Sequence, residues 1–121
     1  MKKTVLTVDD SRTMRAILRN VLIEAGFDVV QADDGMHGLE VLLKASPDVI
    51  VTDLNMPRLN GFEFVERVRC DARHRAVPIL VLTTECDQEK KDRARRAGAT
   101  GWITKPFDPE KLMSAIRRVA A

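Results

Sequence analysis

Short, nearly all-apolar runs alternate along this chain with longer stretches in which apolar residues recur every three or four positions. Runs of β-branched residues bounded by turn formers read as strands, and recurrence at i, i+3 and i+4 reads as a helix with one buried face. The clearest run, Val49-Ile50-Val51-Thr52, lies between Pro47 and Pro57 and ends at Asp53. It has no polar alternation, which predicts a strand buried on both faces in the middle of a parallel sheet. Thr4 to Val8, Phe27 to Ala32, Ala76 to Thr83 and Gly101 to Thr104 are the other four strand candidates.

The intervening stretches have helical spacing. Ser11 caps a first helix with Met14, Ile17, Leu18, Val21, Leu22 and Ala25 on its buried face, closed by Gly26. Asp33-Asp34-Gly35 opens a second, carrying Met36, Leu39, Leu42 and Leu43 and ended by Pro47. After a turn-rich loop at 55–61, Phe62, Val65 and Val68 mark a third. Glu85 to Ala97 has helical composition with little that is apolar beyond Ala94 and Ala97, so a weakly anchored helix is expected there. Asp108 as N-cap, Pro109 in the first helical position and Leu112, Met113, Ile116 and Val119 define the last.

Five βα units in succession predict an α/β domain spanning residues 1–121: a doubly wound, five-stranded parallel sheet with helices on both faces. Right-handed crossovers place every strand's carboxyl end on one edge, where ligands of open α/β sheets collect. That edge gathers Asp9, Asp10, Asp53, Thr83, Thr84 and Lys105.

Composition narrows the choice of function. A chain of 121 residues can bury a core without staples, and a net charge of +2 gives no footprint for nucleic acid. No apolar run reaches the roughly 18 residues of a membrane span or the core of a signal peptide, so a cytoplasmic protein is expected. Cys70 and Cys86 lack metal-ligand spacing and read as reduced thiols, and His37 and His74 belong to no visible catalytic arrangement.

Three aspartates at one sheet edge repel each other unless a cation is present, and a hard divalent ion such as Mg²⁺ suits an all-oxygen set. Lys105 adds a fixed positive charge and Thr83 a hydroxyl donor. Together these are the parts needed for phosphoryl transfer to a carboxylate.

The motifs Val8-Asp9-Asp10-Ser11-Arg12, Asp53-Leu54-Asn55-Met56-Pro57 followed by Gly61, Leu82-Thr83-Thr84 and Lys105-Pro106-Phe107 resemble those of response-regulator receiver domains, closely the single-domain chemotaxis type. The resemblance covers the whole chain and implies the flavodoxin-like fold already expected. It implies that Asp53 accepts a phosphoryl group from a phosphohistidine on a histidine kinase. Mg²⁺ would be held by Asp10, Asp53 and the Asn55 carbonyl, with Asp9 acting through water, and Thr83 and Lys105 would engage the phosphoryl group ahead of a cis Pro106. Asn55 and Glu85 occupy the positions that tune hydrolysis in the family. The aromatic switch position, usually tyrosine or phenylalanine, holds Trp102, which either gates or simply covers the fifth strand.

Lys90, Lys91, Arg93, Arg95 and Arg96 form either a solvated face or, with Thr84, Glu85 and Trp102, a docking surface for an acidic partner. The implied output is contact with a target such as a flagellar motor switch protein, made by a monomer with no DNA-binding module. A phosphate sink for the kinase is the rival. A Mg²⁺ phosphatase of the DxD type would require a second carboxylate where Asn55 stands, and a flavin binder would require aromatic residues that a chain with no tyrosine and one tryptophan lacks.

Overall fold

The computed structural model describes residues 2–84 and 87–120. The elements follow one another as β1 (Thr4–Val8), α1 (Arg12–Glu24), β2 (Asp28–Ala32), α2 (Gly35–Leu42), β3 (Val49–Thr52), α3 (Gly61–Cys70), β4 (Ile79–Thr83), α4 (Gln88–Ala97), β5 (Gly101–Thr104) and α5 (Pro109–Ala120). A single 3-10 turn, Ala72–His74, lies between α3 and β4. All strands are parallel in one sheet of order β2-β1-β3-β4-β5, so β3 is central as its composition predicts.

Alternation along the strands builds two cores. Val5, Val49, Val51, Leu80 and Leu82 face α1 and α5, where they meet Leu18, Leu22, Leu112 and Ile116. Leu6, Val8, Ile50 and Ile79 face α2 and α3, where they meet Leu42, Phe64, Val65 and Val68. A third cluster of Leu54, Phe62, Val81 and Ala94 seats α4, with Trp102 and Ala99 packed against it. Phe64, fully buried, is the largest core side chain, and burying it is worth about 1.5–3 kcal/mol.

Several boundaries and faces differ from the sequence reading. Ile17 is 44% exposed, because the buried seam of α1 is centred on Leu18 and Leu22. Leu43 is 69% exposed: α2 ends at Leu42, five residues before Pro47, tightened by i→i+3 bonds from the Leu43 and Lys44 amides to the Glu40 and Val41 carbonyls. Phe27 belongs to the end of α1 and not to β2, because its amide donates to Leu22 O (3.0 Å) while that of Gly26 donates to Ile23 O (3.0 Å), a Schellman closure. β4 starts at Ile79, three residues later than the expected Ala76. Helix α4 starts at Gln88 behind an Asp87 cap, and the expected start at Glu85, with Cys86, lies outside the described residues. Among the described residues no helix is long and apolar enough to cross a membrane.

Candidate phosphoryl and metal site

The sheet ladder continues past the strands and fixes the site backbone. The Asp53 amide donates to Val8 O (2.9 Å), the Asp9 amide to Ala32 O (3.1 Å) and the Lys105 amide to Thr83 O (2.8 Å). Asp9, Asp53 and Lys105 are therefore each held by a neighbouring strand, and sequence separations of up to 96 residues collapse to contact distance. The Lys105 Nζ donates to Asp9 Oδ2 at 3.1 Å and lies 3.5 Å from Asp53 Oδ2.

Carboxylate oxygens of Asp9, Asp10 and Asp53 all lie within 4.8 Å of one another. Asp9 and Asp53 are buried and Asp10 is exposed. Asp9 Oδ1 accepts from the Ser11 amide (2.9 Å), and Arg15 Nη1 donates to the Asp9 carbonyl (2.6 Å). Asp53 Oδ1 accepts from the Leu54 amide (2.8 Å), which leaves Oδ2 on the Lys105 side. Burial pushes the Asp53 pKa up. Asp9 and Asp10 push the same way, and Lys105 and the Leu54 amide oppose them. Three carboxylates against the one ammonium of Lys105 is an excess of negative charge, and hard oxygen donors at this spacing fit a divalent cation such as Mg²⁺.

Thr83 is buried at the end of β4, paired in register with Thr104, and Thr84 beside it is exposed. Asn55 is exposed on the loop two residues beyond Asp53. Gly61 opens α3 so close to the strand end that a Cβ there would run into the Asp53 carbonyl and lie 2.7 Å from Leu54 Cα. The Lys105-Pro106 bond is cis, as the resemblance implies.

Trp102 is half-buried against the third cluster, and its indole N–H is buried without a hydrogen-bond acceptor among the described residues. With Lys91, Ala94, Arg95 and Gly101 it lines a hollow of about 80 Å³ between α4 and β5. Three of the five expected surface residues thus come together, Thr84 is exposed at the adjoining strand end, and Glu85 lies outside the described residues.

Two arginines escape sequence reasoning. Arg58, on the β3–α3 loop, grips Asp34, and Arg69 ties the end of α3 to the end of α4. Neither stands in a motif or on an apolar period, so the sequence offers no signal for them.

Parallel doubly wound topology with an acidic triad and a lysine at the carboxyl edge defines a receiver. Residues 5–117 match the response regulator receiver domain, and the chain belongs to that family. Its relatives are chemotaxis proteins of the CheY type. It is 40% identical over 117 residues to chemotaxis protein CheY1 of Helicobacter pylori, covering 95% of this chain and 94% of that protein. It is 38% identical to chemotaxis protein CheY-3 of Vibrio cholerae, covering 95% and 89%. The solved structure of Vibrio cholerae CheY4 superposes with a TM-score of 0.95 at 45% identity, covering 98% of this chain and 99% of that one.

Proposed function

We propose that this chain is a phosphorylation-dependent switch of two-component signalling, in which Asp53 takes a phosphoryl group from a phosphohistidine on a chemotaxis-type histidine kinase. The observation that carries this reading is the approach of Lys105 to both Asp9 and Asp53 within the three-carboxylate cluster.

In the transfer, Asp53 Oδ2 attacks phosphorus, a P–O bond forms and the P–N bond breaks. The departing imidazole nitrogen keeps the bonding electron pair and is neutralised by a proton from solvent. Asp10, Asp53 and the Asn55 carbonyl would hold Mg²⁺, with Asp9 acting through water. When bound, the ion withdraws charge from the phosphoryl oxygens. Lys105 exchanges its carboxylate partner for a phosphoryl oxygen, and the Thr83 hydroxyl donates to another. Hydrolysis of the acyl phosphate ends the signal, at a rate tuned by the residues at positions 55 and 85, as in the family.

The output is protein contact. Helix α4 buries fewer residues than any other described α-helix, and Lys91, Arg95 and Trp102, with Thr84 at the adjoining strand end, form the face that a target reads, a flagellar motor switch protein by likeness to the CheY relatives; Glu85, by its position in the sequence, is expected to join them. The protein acts as a cytoplasmic monomer in which residues 1–121 form one receiver domain.

Intact mass after incubation with Mg²⁺ and a small-molecule phosphodonor tests the chemistry. A labile gain of one phosphoryl group is expected, absent in Asp53→Asn and absent with EDTA. A gain that survives Asp53→Asn, or no gain under any condition, contradicts it.

A further inference from the structure

The loop that leaves Asp53 is bent in an unusual way. The Leu59 amide donates to Pro57 O at 2.7 Å, closing a three-residue turn around Arg58, whose φ is +66°. A central residue with positive φ in such a turn is strained unless it is glycine. The side chain offsets that strain. Arg58 Nε donates to Asp34 Oδ2 at 2.8 Å and Nη2 to Oδ1 at 2.9 Å, a two-point grip on a carboxylate. Asp34 is buried, and its Oδ1 also caps α2 by accepting from the His37 amide at 2.9 Å. Its pKa is lowered by these partners against the opposing effect of its burial, so it is ionised and committed to Arg58 at neutral pH.

The turn and the grip act on one short loop. Leu59 is buried in the same core cluster as Leu42 and Phe64, and a Cβ on Gly35 would lie 2.6 Å from Leu59 O. The loop at 54–60 is therefore pressed against the start of α2 by packing at Leu59 and tied to it by charge at Arg58. Asn55 rides on this loop, between Asp53 and the tied residue.

We propose that the Arg58–Asp34 pair is a positioning latch that holds the strained β3–α3 loop in one conformation and thereby sets how tightly the acidic cluster takes a divalent cation. The inference rests on the reading that Asn55 joins Asp10 and Asp53 as a Mg²⁺ ligand. Arg58 and Asp34 touch neither cation nor phosphoryl group and act only through the loop. Residues that orient metal ligands from behind typically change affinity by about 10–100-fold when removed.

The test uses Arg58→Gly, which removes the grip and relieves the strained φ, and Asp34→Asn, which keeps an oxygen to cap α2 but loses the charge. Calorimetric titration with Mg²⁺ alone is expected to give a dissociation constant about tenfold weaker in each variant, no further loss in the double variant, and partial recovery in Arg58→Lys. Amide exchange across residues 55–60 in metal-free protein is expected to quicken in both single variants while that of β3 does not. Wild-type affinity in Arg58→Gly, or unchanged exchange across 55–60, overturns the latch. If the wild-type protein itself takes no Mg²⁺ at millimolar concentration, the metal reading falls, and the latch's proposed effect on affinity is overturned with it; faster exchange across 55–60 would then leave only a loop clamp.

Discussion

Helices α3 and α4 are both ten residues long, both follow a strand that ends at the site, and both contribute to the cluster around Leu54, yet they are held very differently. Helix α3 buries Phe62, Phe64, Val65 and Val68 and starts in a full capping box, with Asn60 accepting from the Glu63 amide and Glu63 from the Asn60 amide. Helix α4 buries only Ala94. Its other ties include Ala97 packed against the core under α3, an Asp87 cap on the Lys90 amide, Arg93 lying 4.1 Å from the centroid of the Phe62 ring, and a C-terminal end gripped by Arg69. Shifting α3 means exposing core, at several kcal/mol, whereas shifting α4 disturbs mainly surface contacts. One side of Asp53 is firmly packed, and the other is lightly held.

Breaking the scaffold side has the largest expected effect. Phe64→Ala removes the largest fully buried side chain and is expected to cost about 3–5 kcal/mol in urea unfolding. A loss under about 1 kcal/mol would mean that α3 is no better anchored than α4.

Next comes the tie between the two helices. Arg69 donates to Gly98 O (2.9 Å), Val77 O (2.6 Å), His74 O (3.1 Å) and Arg75 O (3.1 Å), with Thr100 Oγ1 at 3.5 Å, and burial lowers its pKa. Arg69→Met is expected to cost about 1–3 kcal/mol, to be read by thermal unfolding, with faster amide exchange at residues 95–100. Exchange unchanged there would show that Arg69 does not hold the end of α4.

A smaller effect of opposite sign is expected at the site between them. Folding raises the Asp53 pKa, so the folded protein binds that proton more tightly than the unfolded chain does. The stabilisation is full below the unfolded value and is lost as pH rises through the folded one. At neutral pH the ionised group therefore costs stability, and Asp53→Asn is expected to melt higher than the parent in metal-free buffer, by a margin that narrows on acidification. Saturating Mg²⁺ should raise the parent's melting temperature and leave the variant nearly unmoved. A lower melting temperature in Asp53→Asn at neutral pH would contradict this assignment.

Least change in stability is expected on α4 itself. Lys91→Glu with Arg95→Glu should alter unfolding free energy by no more than about 0.5 kcal/mol per site. The same pair is expected to weaken capture of an acidic target segment while Asp53 phosphorylates normally. Equal loss of both functions would erase the division between reaction site and reading surface.

How far each region was legible follows the same divide. Strand ends carry the site, and strands announce themselves through apolar runs, so Asp9, Asp10, Asp53, Thr83 and Lys105 could be brought to one edge from topology alone. The poor anchoring of α4 was likewise visible, because it is a matter of composition. Phe64 escaped notice because α3 is covered on a wide arc, and a narrow i, i+3 seam through Phe62, Val65 and Val68 passes it by. Ile17 and Leu43 went the other way, apolar by sequence yet exposed where a seam is narrow or a helix stops early. Arg58 and Arg69 act through loop carbonyls and a buried cap, contacts that exist only once the loops have taken their shape.

The most direct measurement is amide hydrogen exchange of α3 and α4, residues 61–70 and 88–97, with Mg²⁺, before and after loading with a phosphodonor and beside Asp53→Asn. Exchange in α4 is expected to change on loading while α3 stays as it was, and neither helix should respond in the variant. Equal changes in both helices, or a response in α4 that survives loss of Asp53, would contradict an account in which a carboxylate on a fixed scaffold drives a loosely held helix.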